Sequence, residues 1–326
     1  MRIIVTGGAG FLGSRVITSM LAARQSGEAD IAFDEIVSLD LAPCHVRDPA
    51  VTSLVGDIAD PALLDSVVDS STVGVFHLAA VLSGGSEDDF DLAMRVNVDG
   101  TRALLESCRS AGSRPRFVFT SSLAVFGGSM PTVVPETLAT QPASTYGACK
   151  SLGELLVNEY SRKAFVDARI CRLPTISVRP GKPNSAASSF ASGIIREPLS
   201  GEDAPCPVPT DTRLWLSSPD TAVANLVRAY AIDGESIGGW RVVNLPGITV
   251  TVEEMLASLE RVGGAASRAR VVLVPDQRIA DIVCSWPGDF DVARPLALGF
   301  ARDSTFDDVV RQYRDEFAGD HVRPPG

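Results

Sequence analysis

The sequence predicts an α/β fold built on a doubly wound parallel sheet, with a smaller, loop-rich C-terminal lobe. Apolar β-type runs alternate with helical stretches through the first half of the chain, a pattern typical of parallel strands joined by helical crossovers. The first run leads into a glycine-rich turn and then into a helix. Between residues 174 and 219, repeated prolines interrupt the alternation and indicate an irregular lobe over the sheet.

The periodicity places the elements in order along the chain. We predict strands over 2–5, 35–40, 51–55, 73–77, 116–120, 168–173 and 241–245. We predict helices over 11–17, 61–68, 88–111, 144–163, 221–232, 252–262 and 306–317. In a doubly wound sheet, ligands bind beyond the carboxyl ends of the strands, so functional residues are expected there.

Composition argues against several classes of partner. The 326 residues carry a net charge of −11, which disfavours nucleic acid and anionic membranes as partners. No apolar run reaches the roughly 18 residues of a membrane-spanning helix, and Met1 directly precedes the first strand, which leaves no room for a signal peptide. The cysteines and histidines lack metal-ligand spacing. We therefore expect a cytoplasmic protein with reduced thiols and no metal.

The turn over residues 6–13 reads Thr-Gly-Gly-Ala-Gly-Phe-Leu-Gly and satisfies the spacing of a dinucleotide fingerprint. Glycines permit the tight turn and the approach of a pyrophosphate to the helix N-terminus, which predicts a Rossmann-type site. Asp40 closes the second strand, where a carboxylate accepts ribose hydroxyls and repels a 2′-phosphate. The alternative for Asp40 is a solvated strand end. We predict NAD as the cofactor. Asp57 falls where adenine would lie, although helix capping by Asp57 or Asp60 would also explain it.

Tyr146 and Lys150 are four residues apart on a predicted helix and therefore share one face. A tyrosine with an ordinary pKa near ~10 is a poor base at neutral pH, but a neighbouring cation lowers that pKa and makes the phenol a plausible general base. Ser122 ends the fifth strand, at the mouth of the predicted cofactor cleft. Such pairs also occur by chance on solvated helices, and serines often cap turns. The serine followed by the tyrosine and the lysine, in this order, indicates that the three side chains are catalytic.

The sequence resembles the extended short-chain dehydrogenase/reductases of the NAD-dependent epimerase/dehydratase family. The resemblance rests on specific motifs from Arg2 to about Asn184 and continues more loosely to the end. The motifs are the glycine turn at 6–13, Gly56-Asp57-Ile58, His77-Leu78-Ala79-Ala80, Asn97-Val98-Asp99-Gly100-Thr101, Thr120-Ser121-Ser122 with Val125-Phe126-Gly127, and Tyr146-Gly147-Ala148-Cys149-Lys150.

The resemblance implies roles for individual residues. Ser122 would orient the reacting oxygen, Tyr146 would be the acid/base, and Lys150 would tune it and hold the nicotinamide ribose. His77 would contribute backbone at a strand end and would not be catalytic. The implied cofactor-binding residues are Gly7, Gly10, Phe11, Leu12, Gly13, Asp40, Asp57, Ile58, Leu78, Ala79, Ala80, Asn97, Tyr146, Lys150, Pro174 and Thr175.

The residues directly after the site serine narrow the choice of reaction. Family members that eliminate water carry an acidic pair there, whereas this chain has Leu123 and Ala124. Sugar-nucleotide epimerases need a long second lobe with aromatic residues, and the short stretch 174–219 offers Phe190 and Trp215. Stretches 79–87, 172–184 and 211–219 resemble family members that oxidise the C2 hydroxyl of a four-carbon sugar acid with NAD. That resemblance implies a small anionic sugar acid as substrate.

The substrate-binding residues are predicted to be Ser83, Ser122, Tyr146, Arg179 and Ser188. Arg179, Lys182 and Arg213 are the candidate cations for a carboxylate, and for each the alternative is a surface charge or a salt bridge within the lobe. Relatives that oxidise uronates place an arginine around where this chain has Ser185, which leaves the cation open.

The predicted domains are a NAD-binding Rossmann domain over 1–174, to which about 210–247 returns, and a mainly substrate-binding lobe over 175–326. The resemblance also implies a homodimer that pairs helices 88–111 and 144–163. Leu104, Leu105, Leu152, Leu155 and Leu156 fit such a seam, and packing within one subunit explains them equally well. A sugar-nucleotide epimerase, another small-acid dehydrogenase and a non-enzymatic NAD sensor remain the alternatives.

Overall fold

A computed structural model describes residues 1–28, 30–181 and 186–317. The strands are β1 (Arg2–Thr6), β2 (Glu35–Asp40), β3 (Val51–Val55), β4 (Thr72–His77), β5 (Arg116–Ser122), β6 (Asp167–Leu173), β7 (Thr175–Ile176), β8 (Ala204–Cys206), β9 (Arg213–Ser217), β10 (Val242–Asn244), β11 (Ile248–Thr251) and β12 (Val271–Leu273). The α-helices are α1 (Phe11–Ser26), α2 (Pro61–Val67), α3 (Ser83–Asp88), α4 (Phe90–Ala93), α5 (Gly100–Ala111), α6 (Thr145–Arg162), α7 (Phe190–Leu199), α8 (Pro219–Ala231), α9 (Gly234–Ile237), α10 (Val252–Gly263), α11 (Ala265–Arg268), α12 (Gln277–Val283), α13 (Ala293–Ala297) and α14 (Phe306–Phe317).

The central sheet confirms the predicted fold class. Among the described residues it has seven strands in the order β10-β6-β5-β4-β1-β2-β3, all paired in parallel. The chain leaves β1 towards β2 on one side and returns to β4 on the other, so the strand order reverses at β1. The carboxyl ends of β1, β4 and β5 open there into a crevice, where this fold binds its ligand.

Apolar side chains cover both faces of the central sheet. Ile17 of α1 and Leu226 of α8 lie in the cluster on one face, and Leu104 of α5 and Val157 of α6 lie in the cluster on the other. A third cluster joins α7, α10 and α14 to β9 and lies in the C-terminal part of the chain. The predicted boundaries between a cofactor domain and a substrate lobe remain a prediction.

The predicted helix over 88–111 is wrong at its start. Asp88 ends the short helix α3, and Asp89 has an extended backbone and caps α4 by accepting the Leu92 N–H. A π-helical stretch, Met94–Asp99, then joins α4 to α5. The carboxylate of Asp89 competes with a continuous helix by capping a new one, because aspartate favours N-cap positions.

The prediction of irregular structure over 174–219 is wrong in part. The segment contains β7, β8, β9 and the helix α7, which ends beside Pro198. Phe190, Ala191, Ile194 and Ile195 are buried on one face of α7, with the helical spacing that the frequent prolines obscured. Proline near the last turn of a helix does not prevent the preceding turns from forming.

The described ranges 1–28, 30–181 and 186–317 contain no helix with the length and apolar character needed to cross a bilayer. Within the same ranges, no group of histidine, cysteine and acidic side chains is arranged to bind a metal.

Candidate active site

A cavity of about 520 Å³ lies at the carboxyl ends of β1, β2, β4 and β5. Every predicted cofactor-binding residue except Asn97 lines it, and so does every predicted substrate-binding residue. Tyr146 and Lys150 from α6 face into the cavity across from Ser122 at the end of β5. The fold therefore brings the motifs of the first half of the chain into one enclosed space.

The glycine turn fits a bound pyrophosphate. Gly7 has a positive φ of 72°, and a Cβ there would lie 2.8 Å from the Ala79 backbone nitrogen. A Cβ on Gly13 would lie 2.1 Å from the Gly7 carbonyl oxygen, so α1 packs against the turn only with glycine. Gly10 caps α1 without a side-chain hydrogen bond, which leaves the first-turn N–H groups to be satisfied by a ligand such as phosphate.

Two carboxylates border the cofactor side of the cavity. Asp40 accepts the backbone N–H of Ala9 at 3.0 Å and that of Ala42 at 3.2 Å, which fixes it beside the glycine turn. Asp57 accepts the Ala59 N–H at 2.9 Å and pairs with Arg95 at 2.6 Å, and these hydrogen bonds hold the pKa of Asp57 below its ordinary value.

The cap of α2 is not supplied by Asp57. Asp60 accepts the N–H groups of Ala62 and Leu63 and caps that helix. Asp57 instead lines the cavity at its rim. Helix capping therefore explains Asp60 and does not explain Asp57.

Buried His77 lies beneath the cavity in a directed chain of hydrogen bonds. The Thr101 hydroxyl donates to the Asn97 carbonyl at 2.7 Å, so it accepts from His77 Nε2 at 2.8 Å. Nδ1 then accepts from the Thr6 hydroxyl at 2.6 Å. Burial, reinforced by the charge of Lys150, lowers the pKa of His77 to about 3. His77 is therefore a neutral side chain that ties β1 and β4 to α5.

Asn97 lies behind the cavity wall. Its side-chain oxygen accepts the Val81 N–H at 2.8 Å, and its amide donates to the Val81 carbonyl at 3.1 Å. The π-helical stretch carries Asn97 at this position, and such irregular turns are frequent at functional sites. Asn97 thus fixes the backbone loop that follows β4.

The predicted catalytic residues all line the cavity. Lys150 is buried and donates from Nζ to the Thr120 carbonyl at 2.7 Å, with Nζ 5.7 Å from the centre of the Tyr146 ring. Burial lowers the pKa of Lys150 to about 8. Ser144 caps α6 by accepting the Gly147 N–H at 3.1 Å, which sets the start of the helix that carries Tyr146 and Lys150.

The expected lowering of the Tyr146 pKa is wrong for this structure. Burial raises the pKa of Tyr146 to about 12, while the hydrogen bond with Ser122 and the charge of Arg179 act in the opposite direction. Lys150 directs its ammonium at the Thr120 carbonyl. The Arg179 charge is a contribution that favours the phenolate.

The substrate side of the cavity combines segments that are distant in sequence. The Ser83 hydroxyl accepts the Ala187 N–H at 3.0 Å and joins α3 to the loop before α7. Ser188, Arg179 and Trp286 complete this wall. Trp286 had no signal in the sequence beyond being a tryptophan, and it reaches the cavity only because the C-terminal chain folds back over it.

The three candidate cations have different positions. Arg179 lines the cavity and makes no ion pair with a carboxylate among the described residues, and its buried Nε has no hydrogen-bond partner there. Arg213 is exposed, lies 3.7 Å from Asp289 and does not line the cavity. Lys182, like Ser185, lies outside the described residues. Phe190 and Trp215, considered for base stacking, are instead buried in apolar clusters.

The crevice at the strand reversal, the glycine turn and the Ser122-Tyr146-Lys150 grouping define a NAD-dependent oxidoreductase of the short-chain type. The model of the NAD dependent epimerase/dehydratase family matches residues 3–238, and the chain belongs to that family. Its cofactor is accordingly NAD, and the glycine turn and Asp40 fit that cofactor.

Particular relatives are dehydrogenases. The chain is 52% identical over 320 residues to a D-erythronate dehydrogenase of Cupriavidus necator, covering 97% of this chain and 98% of that protein. It is 45% identical over 313 residues to a D-erythronate dehydrogenase of Haemophilus influenzae, covering 96% and 98%. A crystal structure named as a nucleoside-diphosphate-sugar epimerase from Agrobacterium tumefaciens is 36% identical, covers 99% of this chain and 96% of that one, and superposes with a TM-score of 0.92.

Proposed function

We propose that the protein oxidises the C2 hydroxyl of D-erythronate with NAD and releases 2-dehydro-D-erythronate, as a step in aldonate catabolism. The observation that carries the proposal is that Tyr146, Ser122 and Arg179 line one cavity, in which the Arg179 guanidinium has no carboxylate partner among the described residues. The names of the two relatives with 52% and 45% identity support the same substrate.

In the proposed reaction Tyr146 removes the proton from the C2 hydroxyl as general base. Ser122 donates a hydrogen bond to the reacting oxygen and holds it beside the phenol. NAD, when bound, supplies the acceptor for the hydride that leaves C2. Lys150 holds the nicotinamide ribose, and its ammonium is oriented by the Thr120 carbonyl at 2.7 Å.

The raised pKa of Tyr146 determines the pH dependence of this step. Because only the phenolate accepts the proton and its pKa is about 12, the active fraction grows as the pH rises towards that value. The oxidation rate should therefore increase with pH through the neutral range, whereas the reverse reduction should slow. Above about pH 8, loss of the Lys150 charge should oppose the increase.

We assign the substrate carboxylate to Arg179. A guanidinium that is partly removed from water and lacks a carboxylate partner is an unfavourable state that an anionic ligand relieves. Ser83 and Ser188 line the same wall and offer hydroxyls to the carboxylate or to the remaining substrate hydroxyls. Lys182 remains a further candidate outside the described residues.

A second candidate function is a sugar-nucleotide epimerase, favoured by the name given to the superposed structure. Oxidation of another small acid, of the uronate or L-threonine type, would use the same catalytic residues. An epimerase would retain its cofactor and yield no net NADH.

The test is formation of NADH by purified protein with NAD. D-erythronate should give steady turnover, and UDP-glucose should give none. Four- to six-carbon aldonates, uronates and L-threonine provide the comparison set, and Tyr146→Phe is the control for catalysis at this site. Absence of NADH with every acid would refute the proposal, and interconversion of UDP-sugars without net NADH would establish the epimerase.

We further propose a cytoplasmic homodimer. Leu152 and Leu155 on α6 are 41% and 68% exposed and can contribute to a subunit interface. Leu104 and Leu105 are fully buried within the subunit and therefore take no part in that seam. Light scattering of wild-type protein and of Leu155→Glu would measure the state of association.

A further inference from the structure

A buried ion pair lies directly behind the catalytic residues. Arg172 of β6 donates to both carboxylate oxygens of Glu154, from Nε at 2.8 Å and from Nη2 at 2.7 Å. The two side chains are only 3% and 5% exposed. The Cζ atom of Arg172 also lies 4.7 Å from the centre of the Phe126 ring.

Stability alone is a poor explanation for this pair. Removing two charges from water costs free energy that their attraction offsets only in part, and well-packed apolar residues often serve as well or better. A buried pair of this kind is therefore a reason to ask what its geometry fixes. Here Glu154 of the pair contacts β5, the strand that carries Ser122.

Glu154 holds one residue of β5, and Lys150 holds the residue before it. The Ser121 hydroxyl donates to Glu154 Oε1 at 2.5 Å, and the Lys150 ammonium donates to the Thr120 carbonyl at 2.7 Å. Lys150 and Glu154 are one turn apart on α6 and thus occupy the same face. Two consecutive residues of β5 are consequently attached to two successive turns of the catalytic helix, immediately before Ser122.

The same arginine extends the connection beyond α6. Arg172 Nη1 donates to the Glu136 carbonyl at 3.0 Å, and the Glu136 carboxylate accepts from the Asn244 N–H at 3.1 Å and from Arg294 at 2.8 Å. Glu136 therefore links the pair to β10 and to α13. Glu154 has little freedom to move without moving Ser121.

We infer that Glu154, fixed by Arg172, is a positioning residue that sets the spacing between Ser122 and Tyr146. It does not line the cavity, and it acts by attaching the end of β5 to α6. This inference deepens the proposed function and rests on it for its turnover measurement. Displacement of a catalytic group by about 1 Å can lower a rate by about 100-fold, so a small shift of β5 would be visible in kcat.

The main test compares three replacements of the pair. Glu154→Gln keeps an acceptor for Ser121 and should retain kcat within about 5-fold. Glu154→Leu should lower kcat by about 100-fold with the Kd for NAD nearly unchanged. The double variant Glu154→Leu/Arg172→Leu should recover Tm, because no charge is left unpaired, and should still lack kcat. Full kcat in the double variant would overturn the inference.

A matched control exists at the other end of β6. Arg169 is fully buried and pairs there with Asp167 at 2.6 Å, and Asp167 also pairs with the partly exposed Arg241 at 3.0 Å. None of these three residues lines the cavity. The double variant Asp167→Leu/Arg169→Leu should show wild-type kcat when its Tm equals that of the other double variant. An equal loss of kcat in both would mean that any buried pair on β6 matters only through folding.

Ser121→Ala provides a test that is independent of the stability of the pair. It removes only the hydroxyl that donates to Glu154 and leaves the pair with Arg172 intact. We expect kcat to fall by about 10-fold, with a smaller loss of Tm than in Glu154→Leu. Wild-type kcat in Ser121→Ala would contradict the inference.

A substrate-independent readout separates this inference from the proposed function. In protein labelled with 3-fluorotyrosine, the ¹⁹F NMR signal of Tyr146 is assigned by its absence from Tyr146→Phe. Glu154→Leu and Ser121→Ala should shift that signal, because the hydrogen bond with Ser122 changes, whereas Asp167→Leu/Arg169→Leu should not. If the Tyr146 signal shifts in variants that fold like the wild type, but the wild-type protein oxidises none of the acids, the positioning role stands and the proposed substrate is refuted. An unchanged signal would refute the positioning role.

Discussion

The two sides of the cavity are built in different ways. The cofactor side consists of strand ends and the turns that directly follow them, so Gly7, Gly13 and Asp40 are fixed by their own strands and helices. The substrate side joins α3, the segment around Arg179, the loop before α7 and Trp286. Cofactor choice is therefore local to the motifs, whereas substrate choice depends on how distant segments pack.

The largest expected effect lies where the two sides meet. Tyr146→Phe removes the general base without altering the cavity wall, and kcat for D-erythronate should fall by about 1,000-fold. The Kd for NAD, measured by calorimetry, should stay within about 2-fold. Tyr160→Phe on the same helix is the matched control, because Tyr160 hydrogen-bonds Glu106 outside the cavity. Comparable kcat values for Tyr146→Phe and wild type would refute the assigned base.

The next effect should be confined to the substrate side. Arg179→Gln removes the guanidinium proposed for the carboxylate, and a charged hydrogen bond of this kind contributes enough to raise KM by about 100-fold. Activity on a neutral polyol such as erythritol should fall much less, because only the effect of the Arg179 charge on the Tyr146 phenolate is lost there. Arg213→Gln is the control, since Arg213 is exposed beside Asp289. An equal loss with acid and polyol would show that Arg179 has a different role.

A smaller effect should be confined to the cofactor side. Asp40→Asn removes the charge expected to repel a 2′-phosphate, and we expect the Kd for NAD to rise by about 10-fold while NADP binding improves. Asp57→Asn is the comparison, because Asp57 lies at the other end of the adenosine side and pairs with Arg95. If both variants shift the NAD to NADP ratio equally, Asp40 does not determine the preference.

Replacement of His77 should have the smallest effect on turnover at neutral pH, and its effect should appear instead in the stability of the protein at acidic pH. The pKa of His77 in the folded protein is about 3 against an ordinary 6.5, so the unfolded chain takes up a proton between these values and the folded one does not. The unfolding free energy should thus decrease as the pH falls from 6.5 towards 3, by about 1.4 kcal/mol per pH unit. Denaturant unfolding of His77→Gln should lack this part of the acid dependence. The exposed His45, replaced in His45→Gln, should leave it unchanged.

The same contrast explains how far the sequence could predict the molecule. The glycine turn, Asp40 and the Tyr146-Lys150 spacing are local patterns, and the cavity contains all of them. Trp286 could not be found in this way, because no local pattern links it to a strand end. The helix α7 was missed because prolines dominate its surroundings, although Phe190 and Ile194 follow helical spacing.

Electrostatic effects show a second limit of sequence-based prediction. The spacing of Tyr146 and Lys150 correctly places both side chains in the cavity, but it does not reveal that Lys150 points at the Thr120 carbonyl. Nor does it reveal that Arg179 is the cation that opposes the rise in the Tyr146 pKa. Burial and orientation depend on the packed structure, so the sign of that shift could not be predicted from spacing.

The proposed reaction transfers a hydride from C2 of a small sugar acid to NAD within this cavity. Its most direct test uses D-erythronate carrying deuterium at C2, with NAD and the purified protein, and mass spectrometry of both products. We expect the reduced cofactor to carry the deuterium and the acid to be recovered as the 2-keto acid without it. Deuterium retained in the sugar acid, or NADH formed without label, would contradict oxidation at C2.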